Sequence, residues 1–232
     1  VNIKPRVLVV IPAKGRSTRI PGKNMKDFAG QPLLYWTIMA ARESQWVTST
    51  CVSSDCPEIL NYAFDKGVTP VPRDDSLCQD STPTDPVIVH AVGFIQSVFE
   101  ISFDMVVTLQ CTSPVRPKDL IDDCIKTLYR DPGANSVVTV HNAGHFAWQL
   151  SFDTMDWCQV NAHRRPVSQN FEPSDRIYME NGSVVVTRKK ELLMHNHRVV
   201  EPVNCLPIEG KYSIDIDNQD DFTMAESMLG GK

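Results

Sequence analysis

"RVLVVIPAKGRSTRIPGKN", Arg6 to Asn24, passes from a run that is apolar at every position after Arg6 into a loop crowded with positive charge. A strand with one wet face alternates polar and apolar residues, whereas Val7 to Ile11 does not alternate at all. Such a run is what a parallel sheet shows when helices cover both of its faces. The loop that follows has a different chemistry. Gly15, Ser17 and Gly22 allow the backbone to approach a ligand with its N–H groups exposed. Lys14, Arg16, Arg19 and Lys23, with Lys26 just beyond, bring charge-assisted donors suited to phosphate oxygens. The glycine and lysine spacing is neither that of a Walker loop nor that of a GxGxxG dinucleotide turn. Open parallel sheets bind ligands beyond the carboxyl ends of their strands. The stretch therefore predicts a central strand followed by a loop that grips a nucleoside triphosphate by a different arrangement.

Similar runs recur farther along: "TSTCVS" (Thr48 to Ser53), "DMVVTLQ" (Asp104 to Gln110), "NSVVTV" (Asn135 to Val140), "GSVVVT" (Gly182 to Thr187) and "YSIDID" (Tyr212 to Asp217). Each is read as a strand. Helical patterns lie between them. "PLLYWTIMAARES" carries Leu34, Ile38 and Ala41 on one stripe, with Pro32 read as its first helical residue. "PTDPVIVHAVGFIQSVF" follows the loop near residue 80. "PKDLIDDCIKTLYRD" is read with Pro117 and Asp119 in its first turn, and "NQDDFTMAESML" opens on Asn218, Asp220 and Asp221. Strands alternating with helices of this length predict a layered α/β architecture. One domain is expected over residues 1–232. His141 to Asn181 breaks the rhythm with "FAWQLSFDTMDWCQV" and "HRRPVSQNFEPSDRIYMEN". Large aromatics outside a clean period mark an interface or a substrate-covering flap, or else a local pair of antiparallel strands. Trp148 and Trp157 are the interface candidates.

Charge and composition narrow the function classes. A formal net charge of -5 leaves no basic surplus for a nucleic-acid partner, so the basic loop stands against an acidic background. No apolar run nears the roughly 18 residues of a membrane span, and the N-terminal run does not read as a cleaved leader. Seven cysteines (51, 56, 78, 111, 124, 158 and 205) are an odd number without close metal-type pairing. They are read as free thiols of a reducing, cytoplasmic compartment. The histidines form no HxxxH or HExxH signature, and "HNH" at 195–197 is read as polar surface.

A grip on phosphate needs a counter-ion system, and "SIDIDNQDDF" (Ser213 to Phe222) offers one. In extended backbone, alternate residues face one side, so Asp215 and Asp217 present two carboxylates together while Ile214 and Ile216 turn inward. Adjacent carboxylates repel unless a proton or cation relieves them, and a divalent ion bridging to phosphate does so. "LQCTSPVR" ends a buried strand with Gln110, Thr112, Ser113 and Arg116, a polar cluster where a ligand edge would lie.

Taken in order, "IPAKGRSTRIPGKN" with "FAGQPLL", "SSD" at Ser53 to Asp55, "LQCTSPVR", "NGSVVV" and "IDIDNQDDF" resemble segments of the acylneuraminate (CMP-nonulosonic acid) cytidylyltransferases, within the nucleotide-sugar pyrophosphorylase-like enzymes. The resemblance implies a three-layer α/β sandwich with a mostly parallel, Rossmann-like sheet and a projecting dimerisation region over residues 141–181. It implies transfer of CMP from CTP, with Mg2+, to the anomeric hydroxyl of a 2-keto-3-deoxy acid sugar, releasing pyrophosphate. It places Lys14 and Lys23 on the triphosphate as catalytic groups. Ala13, Gly15, Ser17, Arg19, Ser53 and Asp55 would surround the nucleotide, and Asn24 would lie by the cytosine and ribose. Gln110 would touch the sugar acid, with Thr112 and Ser113 beside it, while Asp215 and Asp217 would hold magnesium. In "HRRPVSQN", Arg164 or Arg165 would reach the sugar carboxylate of a partner subunit in a homodimer, with Gln169 as a further contact.

Some features depart from that family's pattern. Lys14 stands where Arg is commoner, which keeps the charge but loses the bidentate fork. "STR" at 17–19, with Thr18 for a usual Lys, is similar to the Kdo cytidylyltransferases, whereas "GKN" at 22–24 favours the nonulosonate group. Three residues, "PVS", separate Arg165 from Gln169, and Asn170 replaces a usual Asp. A Kdo-type acceptor, or an inactive nucleotide-binding scaffold, is the alternative reading.

Overall fold

The computed structural model describes residues 4–79, 81–144, 147–150, 157–160 and 176–230. In chain order its elements are β1 (Val7–Pro12), the two-residue strands β2 (Asp27–Phe28) and β3 (Gln31–Pro32), α1 (Leu33–Glu43), β4 (Ser49–Ser54), α2 (Pro57–Asp65) and β5 (Thr69–Pro72). There follow α3 (Thr84–Phe99), β6 (Met105–Thr108), α4 (Leu120–Arg130), β7 (Ser136–Gly144), β8 (Ala147–Leu150) and β9 (Trp157–Val160). The chain closes through β10 (Ile177–Arg188), α5 (Lys189–His195), β11 (Val203–Ile208) and α6 (Gln219–Gly230).

Among the described residues, seven strands form the main sheet in the order β11-β7-β10-β6-β1-β4-β5. β1 pairs in parallel with β4 and β6, β4 with β5, and β7 with β11. β10 runs antiparallel to both of its neighbours, β6 and β7. The sheet is therefore mostly parallel, and β1 lies inside it as its unbroken apolar run predicts. Val7, Val9 and Ile11 pack with Leu34 and Ile38 of α1, Ile59 of α2 and Ile125 of α4. Leu8 and Val10 point the other way, onto Ile88 and Val92 of α3 and Leu192 of α5. Helices on both faces make three layers. Each of these aliphatic side chains contributes about 1.5–3 kcal/mol on burial, as an upper figure. An aspartate at Val9 or Val10 would place an unpaired charge under one helical layer.

The strand order also positions a site. From β1 the chain moves outward through β4 to β5, then returns to lay β6 on the opposite side of β1. The loops after β1 and β6 consequently leave in opposite directions and open a crevice at the carboxyl edge of the sheet.

Several expectations are corrected. Tyr212 to Asp217 is not a strand. A single 3-10 turn at Gly210–Tyr212 precedes it, and Ser213 to Asp217 is irregular, tied to the body where Ile216 N donates to Thr112 O at 2.8 Å. Its end is drawn into a helix start, since the N–H groups of Asp217 and Asn218 both donate to Asp221 Oδ2. Pro32 precedes the first residue of α1, and Asp119, at φ 62°, precedes α4, which begins at Leu120. α2, β5, α5 and β11 are elements that the reading of the sequence did not anticipate.

Within 141–181, β8 and β9 pair antiparallel, one of the alternatives for this stretch. The described cysteines 51, 56, 78, 111, 124 and 205 are free thiols. Burial pushes Cys111 up to about 12 and raises Cys51 and Cys124 as well, which keeps all three as inert thiols. Among the described residues no helix is long and apolar enough to cross a membrane.

Candidate active site

A cavity of about 300 Å³ opens at that crevice. One wall is the loop after β1, with Lys14, Arg16, Ser17, Thr18, Arg19, Lys23 and Asn24. Facing it are Gln110, Cys111 and Thr112 from the end of β6. A third wall comes from the loop between β5 and α3, with Arg73, Leu77, Gln79, Thr82, Pro83 and Thr84.

The basic loop is shaped by bonds from behind. Ala13 N donates to Ser53 O at 2.9 Å, and Gly15 N donates to Asp55 Oδ1 at 2.7 Å. Asn24 Nδ2 donates to Lys14 O at 2.8 Å, which closes the loop on itself. A Cβ at Gly15 would lie 2.5 Å from Cys56 Cβ, closer than such atoms ever come, so glycine is required there. Gly22, at φ +64°, turns the chain into Lys23. Ile20 is buried against Val115 and Ile216, so the loop's middle is anchored while its cations face the cavity.

Sequence-derived candidates thus divide into two tiers. Lys14, Ser17, Arg19, Lys23, Asn24, Gln110 and Thr112 line the cavity. Ala13, Gly15, Ser53, Asp55 and Ser113 do not, and act as supports. Ser53 is fully buried, and its hydroxyl and carbonyl accept from Arg73 Nε at 3.1 Å and NH2 at 2.9 Å. Ser113 is buried and donates to Asn181 O at 3.4 Å. Arg116 also turns away from the cavity. Its guanidinium donates to Gln110 O at 2.6 Å, to Ser183 O at 3.2 Å and to Thr37 Oγ1 at 3.3 Å. Burial pushes it down to about 10, leaving it charged at neutral pH. Arg164, Arg165 and Gln169 lie outside the described residues.

Asp215 and Asp217 stand beside the basic wall. Ile216 is fully buried between them while Asp215 is exposed and Asp217 half-buried, so the expected alternation survives without a strand. Lys23 Nζ donates to Ile216 O at 2.5 Å. Burial lowers the Lys23 pKa, and the charges of Asp215 and Asp217 oppose that shift. Arg19 NH1 meets Asp217 Oδ1 at 2.5 Å. Among the described residues no cluster of three or more metal-ligating side chains occurs. Two carboxylates whose remaining partners are phosphate oxygens and waters are nonetheless a usual magnesium donor set, and the pair fits it.

Arg73 and the rest of the third wall were missed. Burial lowers the Arg73 pKa, with Asp55 opposing. The available signal was the polar run "RDDSLCQDSTPTDP", but it follows β5, whose strand character was not recognised.

Comparison with known proteins bears on what such a cavity belongs to. The profile of the family described as "Cytidylyltransferase" matches residues 8–206. The chain is 29% identical over 229 residues to the CMP-N,N'-diacetyllegionaminic acid synthase of Legionella pneumophila, covering 97% of this chain and 96% of that protein. It is 31% identical over 231 residues to N-acylneuraminate cytidylyltransferase A of Danio rerio, covering 96% of this chain and 50% of that protein, so it spans about half of the fish protein's length. A solved CMP:2-keto-3-deoxy-manno-octonic acid synthetase complexed with CTP superposes with TM-score 0.72 at 13% identity, over 97% of this chain and 99% of that one. At that identity the likeness speaks for the fold. The match over residues 8–206, on a chain whose basic loop and β6 edge line one crevice, places it in the cytidylyltransferase family.

Proposed function

We propose that the protein transfers CMP from CTP to the anomeric hydroxyl of a nonulosonic, sialic-type acid and releases pyrophosphate. The observation that carries this reading is the cavity itself. It sets cations from the β1 loop against hydroxyl- and amide-bearing residues at the β6 edge, with two carboxylates alongside. Lys14 and Lys23 bind the triphosphate, Arg73 and the β5–α3 loop enclose the nucleotide, and Gln110 and Thr112 face the acceptor. The sugar hydroxyl is the nucleophile and attacks the α-phosphorus in line, so no covalent enzyme intermediate forms. What the protein supplies is position and neutralisation of phosphoryl charge. Asp215 and Asp217 would hold magnesium, which when bound neutralises phosphate charge.

The remaining features follow the same reading. The chain is proposed to act as one domain in the cytoplasm and to form a homodimer through residues 141–181, with Arg164, Arg165 and Gln169 at the acceptor's carboxylate. The relative from Legionella pneumophila, similar along almost its whole length, is named for a CMP-nonulosonic acid, which favours this acceptor class over Kdo. The test incubates the protein with CTP, Mg2+ and matched nine- and eight-carbon 2-keto-3-deoxy acids, and records pyrophosphate and the nucleotide-sugar mass. The expected result is turnover of a nine-carbon acid and poor use of Kdo. A kcat/KM for Kdo at or above that for every nonulosonic acid would overturn the assignment.

A further inference from the structure

The segment "NGS", Asn181 to Ser183, lies on none of the cavity walls, yet it touches the supports of the β6 wall and the segment that leads to Asp215. It sits where β10 loses register with β7. Glu180 pairs with Val140 and Val185 with Val138, so Asn181, Gly182, Ser183 and Val184 together face Thr139. The Thr139 hydroxyl is fully buried in this bulge. It donates to Asn181 Oδ1 at 2.6 Å and accepts from Val184 N at 3.1 Å. Asn181, itself buried, spreads outward from there. Its Nδ2 donates to Ser213 Oγ at 3.0 Å, two residues before Asp215, and its carbonyl accepts from Ser113 Oγ at 3.4 Å. The Ser183 carbonyl accepts from Arg116, whose NH2 also holds Gln110 O.

Gly182 abuts Gln110, a residue of the cavity wall. It adopts φ +65°, and a Cβ there would lie 3.1 Å from Gln110 Nε2 and 3.4 Å from Gln110 Cδ. Thr112 also meets the Gln110 carboxamide, its hydroxyl donating to Gln110 Oε1 at 3.4 Å. The amide thus has a bare backbone against its nitrogen and a hydroxyl on its oxygen. A side chain at 182 would press on that amide, and loss of the Asn181 bridge would free Ser213 and the segment leading to Asp215.

We propose that the Asn181–Gly182–Ser183 bulge is a positioning element that holds the Gln110 amide in register with the Ser213–Asp217 segment, and so governs the acceptor step rather than CTP binding. The inference rests on the proposed reaction. Apart from the Ser183 hydroxyl, which is buried without a partner among the described residues, the bulge's polar groups named above are bonded. Such buried connections fix the direction that recognition of a sugar needs. The positioning residues act through Gln110 and do not themselves touch substrate.

The experiment combines Gly182→Ala, Ser213→Ala and Gln110→Ala with calorimetric titration of CTP and steady-state kinetics on the nonulosonic acid used best by the parent. Gly182→Ala is expected to lower kcat/KM for the acceptor by about tenfold or more, since a misplacement of even about an ångström costs up to about a hundredfold. Its CTP dissociation constant should stay within about twofold of the parent. In the Gln110→Ala background the same change should have little further effect, because coupled residues are not additive. Ser213→Ala, a milder change at a half-buried position, should reproduce the split between acceptor and CTP if Gly182→Ala fails to fold. An equal Gly182→Ala defect in both backgrounds, or CTP affinity falling in step with acceptor kinetics in either variant, would overturn the proposal. A parent that uses no 2-keto-3-deoxy acid removes the functional reading and this inference with it. A parent that uses one while the variants behave like it removes the inference alone.

Discussion

The two facing walls of the cavity are built in opposite ways. The wall from Lys14 to Lys23 exposes Arg16, Thr18 and Arg19, and the loop is held by a handful of bonds that come mostly from behind. The wall from Gln110 to Thr112 is backed by β10 and by buried Ser113, Thr139 and Asn181, whose polar groups bond to one another. Within it the Ser183 hydroxyl is a buried exception, without a partner among the described residues. A long cation can follow a phosphate by changing rotamer, because Coulomb attraction falls slowly with distance. Recognition of a sugar's hydroxyls and amide depends on direction and tolerates little slack. The loose wall therefore suits the triphosphate, and the rigid wall suits the acceptor.

The largest effect should come from the carboxylates beside the basic wall. Asp215→Ala or Asp217→Ala is expected to reduce turnover more than about 100-fold. Loss of an outer contact to a metal already costs about 10- to 100-fold, and a direct ligand costs more. Circular dichroism should show an unchanged fold, because Asp215 is exposed and Asp217 is only half-buried. Near-parental activity of both variants at low Mg2+ would remove the carboxylates from the reaction.

Within the loose wall, two neighbouring lysines separate function from packing. Lys23 lines the cavity, whereas Lys26 donates to Gln219 Oε1 at 2.8 Å and lies 4.8 Å from the Phe222 ring centroid. A charged donor on phosphate contributes about 1.5–3 kcal/mol, so Lys23→Ala should lower kcat/KM for CTP at least about tenfold. Lys26→Ala should change it far less. The pH dependence follows from the Lys23 environment. Burial lowers its pKa, so it sheds its proton below the usual lysine range as pH rises. The alkaline limb of kcat/KM for CTP, which reports the free enzyme, should then fall below that range and move upward in Lys23→Arg. An unmoved limb would separate the titration from Lys23.

These outcomes also show which parts of the molecule the sequence makes legible. β1, β6, β7 and β10 are legible because these interior strands carry runs of apolar, largely β-branched residues, and β4 through the shorter run around Cys51 and Val52. The two edge strands were missed for the complementary reason. β5 contains Pro70 and Pro72, and β11 contains Pro207, which an edge tolerates because one side of its backbone needs no partner. Missing β5 hid the loop after it, and with it Arg73 as a wall of the cavity. The basic loop was legible because charge and glycine mark a ligand edge locally. The division of Ser53, Asp55 and Ser113 from the lining residues was not, since it depends on which strand lies behind which loop. "SIDID" misled in form, because alternation of apolar and acidic residues needs only extended backbone and not a sheet partner.

The rigid wall can be tested by stability alone. Thr139→Val keeps the shape but removes the hydroxyl that accepts from Val184 N in a fully buried place. An orphaned buried donor costs about 1–3 kcal/mol, so denaturant unfolding should show a loss in that range. A loss below about 0.5 kcal/mol would mean that the bulge relaxes and that the wall is less fixed than its bonds imply.

The smallest effect is expected at the most prominent ion pair of the loose wall. Arg19 NH1 lies 2.5 Å from Asp217 Oδ1, but the two side chains are 65% and 50% exposed. Water screens both charges, and ordering two flexible side chains offsets most of the attraction, so exposed pairs contribute only about 0–1 kcal/mol. Arg19→Ala should therefore shift unfolding by no more than about 0.5 kcal/mol, or about 2 °C in Tm for a chain of this length. The contact matters more for what it occupies. It holds the carboxylate proposed for magnesium, so removing Arg19 should lower the Mg2+ concentration needed for half-maximal turnover even if CTP binds less tightly. A stability loss above about 2 kcal/mol would make the pair a structural rivet, far beyond what an exposed contact supplies. The basic wall would then be as fixed as the acceptor wall, and the contrast between them would fail.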